Sequence, residues 1–163
     1  MKTHAQVVIV GAGIVGCSAA YHLARLGWRD IVVLEQGPLF ETGGSSSHAP
    51  GLVFQTNAAK AMCELAQRTV QLYSELDLDG QPCFYSVGSM ELAYTPERWQ
   101  DLKRKRGFAM SWGLAAELID PAEARRKLPL LDDTKIHGAY FVHSDGIARA
   151  VRAGEALARA AQA

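Results

Sequence analysis

The sequence has little cysteine, no excess of charge and no long hydrophobic run, and each shortage excludes a class of protein. Its three cysteines form no CxxC pair and leave one over in any disulfide scheme, which favours a reducing compartment. Its 17 basic residues balance 17 acidic ones, whereas nucleic-acid and membrane-surface binders usually carry a basic excess. The uncharged run Val7–Tyr21 has 15 residues and three glycines, and a membrane span needs about 18–20 apolar residues. We therefore expect no nucleic-acid partner, no membrane and a cytoplasmic location.

The first 35 residues have the pattern of a strand, a helix and a second strand. Ala5–Val10 is a β-branched run typical of a strand buried on both faces. Apolar residues at helical spacing then predict a helix over Ile14–Leu26, and Ile31–Glu35 is a second buried strand. Such a unit joins parallel strands through a right-handed crossover. The pattern predicts an α/β fold.

A glycine-rich turn lies between the first strand and the helix. It reads Gly11-x-Gly13-x-x-Gly16, the fingerprint of dinucleotide-binding domains. Gly11 permits the tight turn, Gly13 lets a diphosphate approach the backbone, and Gly16 lets the helix lie close to the strand. The N–H groups near Ile14 and Val15, at the helix start, favour an anion. A turn that serves packing alone is the alternative interpretation.

An acidic residue ends the second predicted strand. Glu35 follows Gly16 by 19 residues, and a carboxylate there can accept hydrogen bonds from both ribose hydroxyls. The same charge repels a 2′-phosphate, which disfavours NADP. The motif by itself does not separate FAD from NAD.

A second segment of small residues follows soon afterwards. Gly43–Leu52 reads GGSSSHAPGL and has no apolar period, so the whole of Gln36–Leu52 is predicted to be a loop. Its serine hydroxyls and backbone N–H groups could bind a phosphate or the edge of a flavin ring. His48 lies within this segment, and the alternative is that it is an ordinary hydrogen-bonded loop residue.

The remaining sequence has a different texture from about residue 80. A long helix is predicted over Asn57–Leu76, an antiparallel strand over Ser89–Tyr94, a helix from Pro96 to Gly107, and a capping box at Asp120. We find only two central parallel strands, although a doubly wound sheet normally has five or six. We therefore expect an N-terminal part of a longer protein; a complete small domain is the alternative.

Three further groups of residues have side chains that could serve a function. The basic run Lys103–Arg106 is typical of the last turn of a helix rather than of a nucleic-acid patch. His137 and His143 would share one face of a strand without a third ligand, so no metal site is expected. Four aromatic residues could form a cage for a methylated amine, but such residues are more often core. These four are Phe84, Tyr85, Trp99 and Trp112.

At these motifs the chain resembles a known family. The segments VIVGAGIVG (Val8–Gly16) and GSSSHAPGL (Gly44–Leu52) are similar to the dimethylglycine and sarcosine dehydrogenase/oxidase group of flavoproteins. That group lies within the D-amino-acid-oxidase and glycine-oxidase superfamily, and the likeness is closest to its bacterial dimethylglycine-oxidising members. It continues through GLVFQTN, VGSMELA, LIDPAEARRKLPLL and the SDG turn, over nearly the whole chain.

The resemblance implies a cofactor and the residues that hold it. FAD is expected, covalently joined through its 8α-methyl group to His48, which occupies the family's histidine position. Gly11, Gly13, Ile14, Val15 and Gly16 would hold the diphosphate, and Glu35 and Gln36 the adenosine end. The flavin end would meet a run of ten residues: Gly43, Gly44, Ser45, Ser46, Ser47, His48, Ala49, Pro50, Gly51 and Leu52. The stretch between Glu35 and Gly44 is a residue or two longer than in some relatives.

The resemblance also implies an organisation and an activity. We expect an incomplete Rossmann-like FAD-binding domain over residues 1–79, part of an inserted α+β substrate domain over 80–144, and a helix returning to the first domain over 145–163. The expected reaction is oxidative demethylation of a small-molecule N-methylated amino acid, dimethylglycine or sarcosine, with tetrahydrofolate as a further cofactor of the full-length protein. The family's catalytic groups lie beyond residue 163, so none is named, and this piece alone is expected to lack turnover. The alternatives are a glycine or D-amino-acid oxidase-like enzyme with non-covalent FAD, and a non-catalytic nucleotide-binding module.

Overall fold

The computed structural model describes residues 3–41 and 43–163. The α-helices are α1 (Ile14–Arg25), α2 (Ser45–His48), α3 (Lys60–Glu75), α4 (Pro96–Ser111), α5 (Pro121–Lys127) and α6 (Ala150–Gln162). The strands are β1 (Val7–Val10), β2 (Ile31–Leu34), β3 (Leu52–Val53), β4 (Asp77–Leu78), β5 (Gln81–Pro82), β6 (Phe84–Tyr85), β7 (Ser89–Ala93), β8 (Glu117–Ile119), β9 (Gly138–Val142) and β10 (Gly146–Ala148). Residues Asp133–Lys135 form a single 3-10 turn.

The chain divides into two compact units, and each is assembled from separate stretches. Unit 1 comprises Met1–Leu52, Leu72–Tyr85 and Ala148–Ala163, and unit 2 comprises Val53–Gln71 and Ser86–Ile147. Because both units draw on distant parts of the chain, neither can be cut out as one continuous segment.

Unit 1 contains the predicted strand–helix–strand crossover. β1 and β2 are parallel, with Val7 opposite Ile31 and Val10 opposite Leu34, and α1 connects them. α6 packs against α1 where Gly154 faces Ile14. A cluster of buried residues with three partly buried neighbours supports the two helices: Leu78, Cys83, Ala153 and Ala156, with Ile14, Tyr73 and Leu76. The crossover is confirmed, and α6 belongs to the same unit.

Unit 2 is built on a three-stranded antiparallel sheet in the order β7-β9-β8. Ser89 pairs with Val142, and Glu117 pairs with Phe141, so β9 is the central strand and is buried along its length. One apolar cluster includes Leu102 of α4, and a second includes Ala124 of α5. The antiparallel strand predicted near Ser89–Tyr94 is confirmed.

A buried carboxylate stabilises the turn after β9. Asp145 is 1% exposed, and its Oδ1 accepts hydrogen bonds from the backbone N–H and the side-chain amide of Gln55, each at 2.9 Å. Its Oδ2 accepts a hydrogen bond from Ser89 Oγ at 2.5 Å. Buried charges are tolerated when they are fully hydrogen-bonded. This one fixes the segment at Gln55 against the sheet of unit 2, where Thr56 and Tyr140 add a buried hydroxyl–hydroxyl contact of 2.6 Å.

Two helix boundaries show where local signals succeed and fail. Asp120 accepts a hydrogen bond from the N–H of Glu123 at 2.7 Å and begins α5, as the capping box predicts. The predicted end of α4 at Gly107 is wrong, because the helix continues to Ser111. The longer helix buries Ala109, which is 0% exposed, and this burial stabilises the additional turn. The left-handed residue that follows the helix is Gly113, with φ +79°.

The aromatic and basic residues considered from the sequence have ordinary structural surroundings. Trp99 and Trp112 are partly buried against a core cluster of unit 2, whereas Phe84 is a buried residue of unit 1. In the basic run, Lys105 pairs with Glu91 and Arg104 with Asp101.

Within residues 3–41 and 43–163, no helix combines the length and the apolarity needed to cross a membrane.

Candidate nucleotide-binding site

The glycine turn brings the start of α1 against the end of β1. Gly11 has φ +99°, and its N–H donates to the carbonyl of Leu34 at 2.7 Å. A Cβ atom added at Gly16 would lie 1.9 Å from the carbonyl oxygen of Gly11 and 3.3 Å from Ile9 Cγ2. No side chain can be accommodated at that distance. Gly16 therefore permits the close helix–strand packing that the fingerprint predicts.

The first turn of α1 presents backbone N–H groups. Gly13 is the N-cap and has no side chain to accept a hydrogen bond from them. The N–H of Ile14 instead donates to Ser46 Oγ at 2.9 Å. Val15, whose side chain is 80% exposed, and Gly16 also lie in the first turn, where N–H groups have no intrahelical acceptor. This helix end carries the partial positive charge that favours an anion.

The Glu35 carboxylate is held at the same turn. Its Oε2 accepts from the N–H of Ala12 at 2.8 Å, and its Oε1 accepts from the N–H groups of Gln36 at 2.8 Å and Gly37 at 3.2 Å. These bonds, the one from Ala12 first, hold the pKa of Glu35 below its ordinary value. The side chain is therefore an anion at neutral pH. A carboxylate has about four acceptor positions, so it retains capacity for a ribose hydroxyl.

The serine–histidine segment forms a single helical turn, α2, within the predicted loop. Ser47 Oγ donates to the carbonyl of Gly44 at 2.7 Å and accepts from the N–H of Gly43 at 3.1 Å. The exposed His48 ring lies with Nδ1 2.9 Å from the same Gly44 carbonyl. Because a carbonyl oxygen only accepts, this contact selects the tautomer with the proton on Nδ1 and the lone pair on Nε2.

A cavity of about 220 Å³ joins the two glycine-rich segments within unit 1. Nine of the sequence-predicted residues line it: Gly13, Ile14, Glu35, Gln36, Gly43, Gly44, Ser45, Ser46 and Ser47. Eight do not: Gly11, Val15, Gly16, His48, Ala49, Pro50, Gly51 and Leu52. Pockets that enclose a whole drug-sized ligand measure about 300–1,000 Å³. The described walls therefore enclose only part of a dinucleotide.

Sequence reasoning missed one wall of this cavity. Ala150, Val151 and Gly154 line it from the first turns of α6, so a second helix N-terminus faces the same space. Ala12, Gly37, Pro38, Phe40 and Glu41 complete the lining. Among the lining residues that the structure describes, none is basic. A diphosphate here would be stabilised by backbone N–H groups and helix dipoles rather than by lysine or arginine.

The residues present fit a flavin adenine dinucleotide in kind. The turn tolerates only glycine at position 16, a carboxylate follows β2, and side chains are absent at Gly43 and Gly44, where an added Cβ atom would meet nothing within 4 Å. The N–H groups at the start of α1 would hold the diphosphate, and Glu35 would hold the ribose.

Cys17 lies beneath the turn and donates its thiol hydrogen to the carbonyl of Ala12 at 3.2 Å. Burial is the larger cause that raises the pKa of this thiol, and the negative charge of Glu35 is the smaller one. Cys17 is a packing residue and not a nucleophile.

Comparison with known proteins agrees with this geometry. The family model described as "FAD dependent oxidoreductase" (DAO) matches residues 6–163. The chain belongs to this family. The expected fold class is thereby confirmed: an α/β dinucleotide-binding part together with part of a second, mixed α and β unit.

Individual relatives share the sequence over most of this chain. It is 35% identical to the mitochondrial pyruvate dehydrogenase phosphatase regulatory subunit of Mus musculus, over 99% of this chain and 18% of that protein. It is also 35% identical to mitochondrial dimethylglycine dehydrogenase of Rattus norvegicus, over 89% of this chain and 17% of that protein. The chain thus spans less than a fifth of the length of these curated relatives.

A solved structure shows the same fold. The crystal structure of L-proline dehydrogenase from P. horikoshii superposes with a TM-score of 0.87 at 28% identity. The match covers 99% of this chain and 42% of that one. That protein therefore has the same fold as this chain over the matched region.

Proposed function

We propose that this chain forms the FAD-binding part of an enzyme that oxidatively demethylates an N-methylated glycine, dimethylglycine first and sarcosine second. The observation that carries the proposal is the meeting, in one cavity, of the glycine turn with Glu35 and the serine segment that leads to His48. The family membership supports FAD, and the dimethylglycine dehydrogenase relative supports the substrate class. When bound, FAD supplies the electron acceptor for a hydride from the N-methyl carbon.

This chain's own residues bind and orient the cofactor in the proposed reaction. The start of α1 holds the diphosphate, and the ionised Glu35 receives the ribose hydroxyls. Loss of the hydride would convert the substrate to an iminium. The iminium would then pass its one-carbon unit to tetrahydrofolate or be hydrolysed to formaldehyde. No catalytic acid or base is assigned among the described residues.

The proposal includes a covalent bond from the flavin 8α-methyl carbon to an imidazole nitrogen of His48. The new C–N bond would replace one C–H bond and one N–H bond, and the two protons and two electrons released would reduce dioxygen to hydrogen peroxide. Because the contact with Gly44 places the imidazole proton on Nδ1, the bond would form at Nε2 and the Nδ1 proton would be lost.

One experiment tests the proposed function on the longest native open reading frame that contains this chain. The purified protein is denatured and run on a gel, and the band is examined for flavin fluorescence. We expect a fluorescent band in the wild type and a dark band in His48→Ala. Addition of dimethylglycine to the native wild-type protein should also decrease its flavin absorbance. Fluorescence that persists in His48→Ala overturns the assignment of His48. Complete release of flavin from the wild type by acid overturns the covalent bond and favours the alternative, a glycine or D-amino-acid oxidase-like enzyme with non-covalent FAD.

A regulatory, non-catalytic protein is the second candidate function. The specific observation that favours it is the relative named as a regulatory subunit, which matches 99% of this chain. This candidate predicts that the purified wild-type protein has no visible flavin absorbance and shows no change on addition of dimethylglycine or sarcosine. A visible flavin spectrum that is bleached by either amine excludes it.

A further inference from the structure

The second serine of α2 connects the two halves of the candidate site. Ser46 Oγ accepts the N–H of Ile14 at 2.9 Å in a part-buried position, although the residues lie 32 apart in sequence. A Cβ atom added at Gly13 would lie 3.2 Å from the same oxygen. Ile14 is the first residue of α1, so its N–H has no acceptor within the helix. A separate segment of the chain supplies that acceptor.

The other hydrogen bonds of α2 are internal. Ser47 and His48 both contact the carbonyl of Gly44, which fixes the imidazole relative to its own turn. In the part of the chain that the structure describes, Ser46 makes the side-chain hydrogen bond that joins this turn to α1. One helical turn has too few backbone bonds to hold a conformation alone. The position of His48 relative to the glycine turn therefore depends on Ser46, together with the packing of α2 against α6.

We propose that Ser46 is a positioning residue for flavin attachment at His48, an inference that rests on the proposed function. A dinucleotide can span only a limited range of distances between its diphosphate and its ring methyl group. Attachment therefore needs the α1 N-terminus and the imidazole to be held at a separation within that range, with the reacting atoms about 3–3.5 Å apart. The bond from Ser46 to Ile14 restricts that separation. The covalent step is the one already balanced: a C–N bond forms, two protons leave and dioxygen takes two electrons.

The test follows attachment in time. The longest native open reading frame that contains this chain is prepared without flavin from riboflavin-starved cells and mixed with FAD. Total bound flavin is measured by absorbance after desalting, and covalent flavin by fluorescence of the denatured band. Ser46→Ala should slow covalent attachment about tenfold or more, because misplacement by about 1 Å costs up to about 100-fold in rate. The covalent fraction of the total bound FAD should therefore fall.

Two further variants separate positioning from general damage. Ser46→Thr keeps the hydroxyl and should restore attachment toward the wild-type rate. Ser18→Ala removes a serine from α1 that has no side-chain hydrogen bond within the described residues, and it should leave the rate unchanged. If Ser46→Ala is insoluble, Ser46→Cys replaces it, because a thiol is a weak acceptor.

The outcomes distinguish failure of the positioning role of Ser46 from failure of the proposed attachment at His48. Attachment at the wild-type rate in Ser46→Ala overturns the positioning role while leaving His48 as the attachment site. Loss of total bound FAD in proportion to the loss of covalent flavin also overturns it, because Ser46 would then be a simple binding residue. A wild-type protein that never acquires covalent flavin overturns the proposed attachment at His48, and the role of Ser46 with it.

Discussion

Glu35 is a carboxylate that the backbone alone stabilises. Its three hydrogen-bond donors are the N–H groups of Ala12, Gln36 and Gly37. These bonds lower its pKa in the folded state. A group whose folded pKa is depressed stabilises the fold above its unfolded pKa, about 4.3 for glutamate, and loses this contribution as the pH falls through the folded value. The residue that would select the ribose therefore also stabilises the turn.

We predict that Glu35→Gln destabilises the protein in a pH-dependent way. An amide has one acceptor oxygen, so it cannot accept from all three N–H groups. The urea midpoint of the variant should lie below that of the wild type near neutral pH. The difference should begin to shrink below about 4.3, the unfolded pKa, and should be lost as the pH falls through the lower pKa of the folded state, where the wild-type side chain becomes protonated.

The matched control is the second acid of the same cavity. Glu41 lines it but has no hydrogen bond or ion pair with any residue that the structure describes. Glu41→Gln should therefore leave the urea midpoint nearly unchanged at every pH. A Glu35→Gln difference that stays constant from neutral to acid pH would contradict the role given to the three N–H groups.

Helix α4 shows how packing decides an element boundary. Gly107 has the composition of a helix end, yet the chain continues as helix for another turn and buries Ala109. A Cβ atom at Gly107 would meet nothing within 4 Å, and its φ is not positive. Glycine in a helix interior is less favourable than alanine by about 0.5–1 kcal/mol. The position therefore carries glycine without a structural need for it.

We predict that Gly107→Ala raises the free energy of unfolding by about 0.5–1 kcal/mol. Thermal or urea unfolding measures the effect. Gly113→Ala is the matched comparison, because its Cβ would also meet nothing within 4 Å but its φ is +79°. There the substitution strains the backbone and should destabilise the protein. Equal changes in the free energy of unfolding at the two positions would contradict the helical backbone conformation of Gly107.

Elements could be predicted from sequence where their cause is local. The crossover β1-α1-β2 follows from two apolar runs and three glycines, and α5 follows from the hydrogen bond between Asp120 and Glu123 within one turn. Helix α2 could not be predicted, because its four residues, SSSH, have no apolar period. Its contact with α1 joins residues 32 apart. No local pattern records such a contact.

At the scale of the molecule, the parts of the candidate site that are formed by local motifs could be predicted from the sequence, and the part formed by a distant segment could not. The glycine turn, Glu35 and the serine segment were predicted because each is a short motif with its own chemistry. The wall formed by Ala150, Val151 and Gly154 was not, because it comes from the opposite end of the chain. The signal that was present is weak: Gly154 is a small residue on a helix face, and it allows α6 to approach Ile14.

Unit 1 is assembled from three stretches of chain, and one apolar cluster joins them. Ala153 of α6 is 0% exposed and shares this cluster with Leu78 and Cys83. Ala153→Leu adds volume to a filled space, which costs about 1–3 kcal/mol. Because the cluster also includes Ile14, we predict faster amide hydrogen exchange in α1 and β4 as well as in α6. Ala160→Leu, on the exposed side of the same helix, should change the unfolding free energy by no more than about 0.5 kcal/mol. Faster exchange confined to α6 in Ala153→Leu would mean that the C-terminal helix is not a cooperative part of the nucleotide-binding unit.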